Sequence, residues 1–346
     1  MELSFWEQSL PFEYPFTISN GRTKTHQHSL MVRLSLGNWE GFGEAPAIVY
    51  YHVTVEGMME QLEKHRKVIE KFALIDPERF WHFLHHLFPN DPFLVCALDM
   101  AGWDLWGQMK KQPLHRLWGT EWNTPPICDY TLGIDSIEKM VQKMEAHPWP
   151  IYKVKVGTEY DIEMITALRQ HTDKPIRVDA NTGWTTEEAL LKIPALAKLG
   201  VELVEQPLAK DNWEGMAQLK QQGVLPLFAD ESCVFEKDVA ICANYYDGIN
   251  IKLTKCSGLT PALRMVKEAR SLGLKVMMGS MNESVIGSAA IAQFLPQLDY
   301  VDMDGPLLMT ELNGVGLNYS FENENGKIEP LHHFGLGVQF RRPFAK

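Results

Sequence analysis

The amino-acid sequence predicts a (β/α)8 barrel preceded by a smaller α+β lid. From about residue 125 onward, eight short apolar, β-branched runs end in polar residues, and amphipathic stretches that close on Gly or Pro separate them. Residues near the ends of these runs, Thr131, Lys155, Asp179, Glu205, Asp230, Lys252, Gly279 and Asp302, are separated by 24, 24, 26, 25, 22, 27 and 23 positions. Eight parallel strands alternating with helices at this spacing close into a barrel, with reactive groups gathered at the C-terminal strand ends. The first 120 or so residues lack that rhythm. A doubly wound open sheet is the alternative that the same alternation allows.

In chain order, HSLMVRLSLGNWEGFGEAP at 28–46 alternates with period two and reads as strand, with glycines at 37, 41 and 43. The stretch CALDMAGWDLWGQMKKQPL is apolar nearly all round and ends at Pro113, which predicts a helix buried on several sides. Within the barrel, Thr185 with Glu188 forms a capping-box pattern ahead of a helix that stops at Gly200 and is bent by Pro194. Thr260-Pro261 reads as a cap followed by proline at the first helical position. The turn-rich, strand-like tail from Asn318 is expected to rejoin the first unit. The expected domains are thus 1–120 (lid), 121–317 (barrel) and 318–346 (returning segment).

Composition narrows the function. The 346 residues are 45% hydrophobic and 22% charged, as in a globular enzyme rather than a collagen, a disordered chain or a disulfide scaffold. With 33 basic and 44 acidic side chains the net charge is −11, which excludes the broad positive footprint of a nucleic-acid or anionic-membrane binder. The N-terminus has no signal-peptide pattern and no apolar run is long enough to span a bilayer, so a cytoplasmic protein is expected. Five cysteines, never spaced as CxxC, argue against a disulfide framework or a structural zinc site.

Three consecutive predicted strands end in acids: Asp179 in RVDAN, Glu205 in VEQP and Asp230 in ADES. One such acid could simply cap a helix. Three at one barrel mouth repel one another, and all-oxygen ligation with room for substrate suits Mg²⁺. Lys153 and Lys155 alternate within an apolar strand and therefore share a face, and Lys252 in NIKL does the same from the sixth strand. The second and sixth strands of an eight-stranded barrel are opposite one another. A substrate carboxylate between them would have one lysine on each face of its α-carbon, the arrangement needed to remove a proton from one face and return it on the other. The α-proton of a carboxylate is very weakly acidic, so a cation must stabilise charge moving onto the carboxylate oxygens. On the eighth strand, Asp302 and Asp304 alternate and are expected to present two carboxylates to an ammonium group.

KVK at 153–155, RVDAN at 177–181, VEQP at 204–207, ADES at 229–232 and NIKL at 250–253 together resemble the enolase superfamily, in its muconate-lactonizing-enzyme subgroup. GFGEAP at 41–46 and ALDMAGWDLWG at 97–107 resemble that subgroup's capping domain, an α+β lid completed by C-terminal residues. The resemblance implies one Mg²⁺ per subunit on Asp179, Glu205 and Asp230, with Lys155 and Lys252 as acid/base catalysts. Within the subgroup the DMD motif is similar to that of dipeptide epimerases, where the two aspartates bind the substrate's amine. Their specificity loop corresponds to PFTISNGRTKTHQHS at 15–29, where Arg22 aligns with the arginine that pairs with a glutamate side chain in L-Ala-D/L-Glu epimerases; the same loop offers Lys24. Thr131, Lys153, Ser280 and Asn282 complete the expected substrate site. The implied activity is epimerisation of a small dipeptide, L-Ala-D/L-Glu first, in the turnover of cell-wall peptide, by a homo-oligomer. Four rivals remain: a dipeptide epimerase for other, hydrophobic or polar, side chains; another reaction of the subgroup, such as N-acylamino-acid racemisation, succinylbenzoate synthesis or cycloisomerisation; a Schiff-base aldolase using Lys155; and a barrel that only binds peptides.

Overall fold

The computed structural model describes residues 1–17, 23–122, 124–311, 314–320, 327–330 and 334–340. The alternating opening forms an antiparallel sheet of β1 (Glu2–Thr17), β2 (Thr23–Leu36) and β3 (Trp39–Pro46). Leu30, Val32 and Leu34 of β2 are fully buried with the helices that follow, α1 (Val55–Glu70), α2 (Pro77–Leu87) and α3 (Pro92–Lys110). Helix α3 explains two features of the sequence. Leu94, Leu98 and Leu105 enter the core of the lid while Cys96 and Met100 enter that of the barrel, so it is apolar on both sides because it lies between them. It also presses so closely on β3 that a Cβ at Gly43 would stand 1.9 Å from the Ala97 carbonyl oxygen, and one at Gly41 2.2 Å from the Leu105 nitrogen.

A short α4 (Leu114–Leu117) leads into the barrel. Its parallel strands are β4 (Tyr130–Leu132), β5 (Tyr152–Lys155), β6 (Ile176–Asp179), β7 (Val201–Glu205), β8 (Leu227–Ala229), β9 (Gly248–Ile251), β10 (Lys275–Gly279) and β11 (Tyr300–Asp302), paired in sequence order. A parallel bridge between Cys128 and Val301 joins the last strand to the first, so the barrel is nearly closed and the open-sheet alternative falls away. The intervening helices are α5 (Ile137–Ala146), α6 (Asp161–Arg169), α7 (Thr186–Lys198), α8 (Trp213–Gln222), α9 (Glu236–Cys242), the one-turn α10 (Leu253–Cys256), α11 (Leu259–Ser271) and α12 (Val285–Ala292). After β11 the chain enters a 3-10 turn at Gly305–Leu308, with no α-helix among the described residues that follow.

The capping box on α7 forms as predicted, the Thr185 hydroxyl accepting from the Glu188 N–H and the Glu188 carboxylate from the Thr185 N–H. Thr260 does not cap α11. The helix begins at Leu259, behind Gly258 in the left-handed region (φ 131°), and the acceptor at its first turn comes from the lid: Asp99 of α3 accepts from the Thr260 N–H (3.0 Å) and hydroxyl (2.8 Å). Glu44 of β3 does the same at α12, accepting from the Ser284 and Gly287 N–H groups. Asp104 accepts from the Phe42 N–H and, at 2.8 Å, from Leu336 N–H of the tail. The described tail comprises β12 (Gly314–Val315), β13 (Leu317–Ser320), β14 (Lys327–Pro330) and β15 (Gln339–Phe340). Its Gly335 donates to the Gln112 carbonyl and accepts from the Leu114 N–H, so this stretch returns to the end of α3. Among the described residues, no helix is long and apolar enough to cross a membrane.

Candidate active site

The strand ends place the carboxylates as the spacing requires. Asp179 ends β6, Glu205 ends β7 and Asp230 follows β8, and each offers an oxygen within 4.8 Å of the others. All three are at most 1% exposed. Each has its own partner: the Asn181 N–H donates to Asp179 (2.9 Å), the Asn250 amide to Glu205 (2.7 Å), and Lys255 to Asp230.

Lysines surround the cluster. Lys155 on β5 contacts Asp179 at 2.6 Å, and Lys252, just past β9, contacts Asp230 at 2.8 Å from the opposite wall. Lys153 lies beneath, 1% exposed, with its Nζ 2.6 Å from Asp302, 2.9 Å from Glu205 and 3.2 Å from Asp179. Burial works against charge on Lys153 and Lys252, but the surrounding carboxylates overcome it and hold both ammonium groups well above the ordinary lysine range. Burial also opposes ionisation of the acids. Lys155 and Lys153 hold Asp179 below the usual carboxylate range, and Lys252 and Lys255 do the same for Asp230. Glu205 goes the other way, pushed up to about 7 by burial and the neighbouring Asp179. The resident lysines thus leave one of three converging carboxylates under-compensated, and the all-oxygen set fits a hard divalent cation.

Above the cluster lies a cavity of about 460 Å³. The barrel lines it with Thr131, Lys155, Asp230, Lys252, Ser280, Asn282 and Asp302, and the lid with Phe16, Lys24, Tyr50 and Tyr51. Of the residues singled out in the sequence, these meet in one chamber; Arg22 lies outside the described residues. Lys24 stands at the chamber wall, where burial lowers its pKa despite the opposing effect of Glu283, and it donates to Gln27 at 3.3 Å. Asp302 and Asp304 do not present a matched pair. Strand β11 stops at Asp302, and Asp304, at the start of the 3-10 turn, turns its carboxylate to the Thr131 N–H (2.6 Å), so that of the two only Asp302 lines the chamber. Burial and the nearby Asp302 push the Asp304 carboxyl well up.

Four participants escaped the sequence reading. Glu231, beside Asp230, lines the chamber and is pushed up to about 8 by burial and Asp230. Asn181 joins Glu231 to Asp179, and Asn250 and Lys255 brace Glu205 and Asp230. For the last, the available signal was a lysine flanked by Leu253, Thr254 and Cys256, three positions after Lys252.

A nearly closed parallel barrel with a carboxylate cluster between two opposed lysines, roofed by an α+β lid, defines an acid/base enzyme of the divalent-metal type. Residues 135–344 match the family described as enolase C-terminal domain-like, and the chain belongs to that family, within the enolase superfamily. It is 48% identical to the L-Ala-D/L-amino acid epimerase of Flavobacterium johnsoniae over 94% of this chain and 98% of that one. The L-Ala-D/L-Glu epimerase of Bacteroides thetaiotaomicron is 36% identical over 98% and 88%. Among solved structures, the substrate-liganded L-Ala-D/L-Glu epimerase of Bacillus subtilis superposes with a TM-score of 0.91 at 28% identity, covering 98% of both chains. The dipeptide epimerase of Cytophaga hutchinsonii, complexed with Mg and D-Ala-L-Val, gives 0.92 at 26% identity over 99% of this chain and 96% of that one.

Proposed function

We propose that this protein is a Mg²⁺-dependent dipeptide epimerase that inverts the α-carbon of the C-terminal residue, with L-Ala-D/L-Glu as the leading substrate. One observation carries the reading: Lys155 and Lys252 reach the same carboxylate cluster from opposite walls of the barrel. Asp179, Glu205 and Asp230 would hold the cation, whose charge, when bound, stabilises the negative charge that develops on the substrate carboxylate. The Nζ of one lysine accepts the α-proton, and the Nζ of the other donates a proton to the opposite face; the two exchange roles in the reverse direction. Lys153, fixed among Asp302, Glu205 and Asp179, steadies the floor. Asp302 takes the substrate's ammonium group, with Asp304 behind it holding the Thr131 backbone in place. Thr131, Ser280 and Asn282 shape the wall, and Lys24 and Arg22 meet an acidic side chain at the second residue. The expected organisation is a lid over residues 1–120, a barrel over 121–317 and a returning tail. A cytoplasmic homo-oligomer is the expected form, and the five unpaired, buried cysteines fit a reducing compartment.

The test is solvent exchange. With Mg²⁺ in D₂O, L-Ala-L-Glu and L-Ala-D-Glu should each take up one deuterium at the glutamyl α-carbon and converge on one mixture by NMR. Faster turnover of an amine-lacking substrate would move the assignment elsewhere in the superfamily, and borohydride trapping of substrate on Lys155 would indicate an aldolase.

A further inference from the structure

Lys255 has no part in the reaction as described, yet it is among the largest fully buried side chains, at 1% exposure. It sits one helical turn beyond Lys252, and its backbone N–H donates to the Lys252 carbonyl at 3.0 Å. Its ammonium group meets four acceptors: Asp230 Oδ1, the Asp230 carbonyl (2.5 Å), the Cys233 carbonyl (3.1 Å) and the Asn250 carbonyl (3.3 Å). These lie on two chain segments, the loop after β8 that carries Asp230 and the end of β9 that carries Lys252. Lys255 therefore ties together the segments bearing one carboxylate of the cluster and one of the opposed lysines. With Oδ1 of Asp230 held from behind, Oδ2 is left to face Lys252. The turn is itself clasped by the lid, through the Trp81 indole N–H on the Ser257 carbonyl and Asp99 on Thr260.

The Lys155 side is held by a different set of groups. Asp179 is braced there by Lys153 of β5 (3.2 Å) and by the backbone and amide of Asn181, whereas the acceptors of Lys255 are confined to Asp230, Cys233 and Asn250. We infer that Lys255 is a positioning residue for one half of the reaction: it sets the orientation of Asp230 and the place of Lys252, and it leaves the Lys155 face of the substrate untouched. This rests on the two-base reading above and adds an asymmetry that the reading alone does not contain.

The test compares Lys255→Met with the unaltered enzyme. Lys252→Ala first identifies which epimer of L-Ala-Glu loses its α-proton to Lys252. In Lys255→Met, α-deuterium exchange of that epimer should fall about 10–100-fold relative to exchange of the other, and calorimetric Mg²⁺ affinity should weaken by a similar factor, the usual cost of removing a group that orients a metal ligand. An unchanged ratio of the two exchange rates, whether or not both rates fall, overturns the inference, as does unchanged Mg²⁺ affinity. If the methionine variant does not fold, Lys255→Arg is read the same way. Its larger head group cannot occupy the same point among four acceptors in a packed interior, so the ratio should shift in the same direction by a smaller factor, and an unmoved ratio again overturns it. Absence of exchange in the unaltered enzyme with Mg²⁺ would remove the epimerase reading instead, and the Mg²⁺-affinity arm would still judge Lys255.

Discussion

Two groups of buried carboxylates can be compared in this molecule, and they are kept in opposite ways. At the barrel mouth Asp179, Glu205 and Asp230 stand among lysines and converge on a common point. At the seam between lid and barrel, the direct partners of Glu44, Asp99 and Asp104 among the described residues are neutral donors, chiefly the N–H groups at helix starts and of the tail. The mouth holds negative charge in place against opposed cations, as proton transfer requires. At the seam, dipoles suffice to join one unit to the other, and burial pushes Asp99 up to about 7 and Asp104 to about 6.

The comparison is broken most severely at the mouth. Lys155→Ala or Lys252→Ala should reduce epimerisation by about 10²–10⁴-fold or more, while deuterium exchange persists for the epimer whose proton faces the remaining lysine. Equal loss of exchange for both epimers in both variants would contradict two opposed bases. Asp230→Asn comes next: Mg²⁺ affinity should fall by more than the ~10–100-fold typical of losing an outer-shell partner, with the fold retained by circular dichroism. At the seam the effect is on stability. Asp99→Ala strips the first turn of α11 of its acceptor and should cost about 2–3 kcal/mol in denaturant unfolding, with Mg²⁺ affinity close to that of the unaltered protein.

The same carboxylate also makes the seam sensitive to pH. Burial first, against weaker help from the Thr260 donors, raises Asp99 from 3.8 to about 7 in the folded protein. The folded state then binds its proton more tightly than the unfolded chain. The stability linked to Asp99 is full below pH ~4, declines as pH rises towards 7, and is flat above that. Asp99→Asn keeps the shape and can accept from the Thr260 N–H, so it should flatten the unfolding midpoint between pH 4 and 7. An unchanged slope would mean that Asp99 does not titrate across that range.

The barrel and its carboxylate cluster were legible because they rest on local order. Strand period and a spacing of 22 to 27 positions fix which residues reach one mouth, and Asp179, Glu205, Lys155 and Lys252 follow by counting. The seam was not legible, since Asp99 meets Thr260 from 161 positions away and Glu44 meets Ser284 from 240. A signal was nonetheless present: aspartates inside an all-apolar helix must find donors, and α3 carries two. Asp302 and Asp304 show the limit of strand period, because alternation predicts one shared face only while the strand continues, and this one ends at Asp302. Lys255 was overlooked because a lysine in a turn is ordinarily solvated.

Asn282 sets a boundary on how this pocket can be altered. It lines the chamber with a left-handed backbone, φ 64°, which asparagine and glycine adopt readily and β-branched residues resist at about 1–2 kcal/mol. Natural drift and laboratory selection therefore have a narrow alphabet at that position. A lineage that acquires a taste for a bulky or branched second residue is expected to change first at Met281 or Lys24, chamber residues free of that backbone constraint, and to keep Asn282 as a fixed corner of an otherwise adaptable wall.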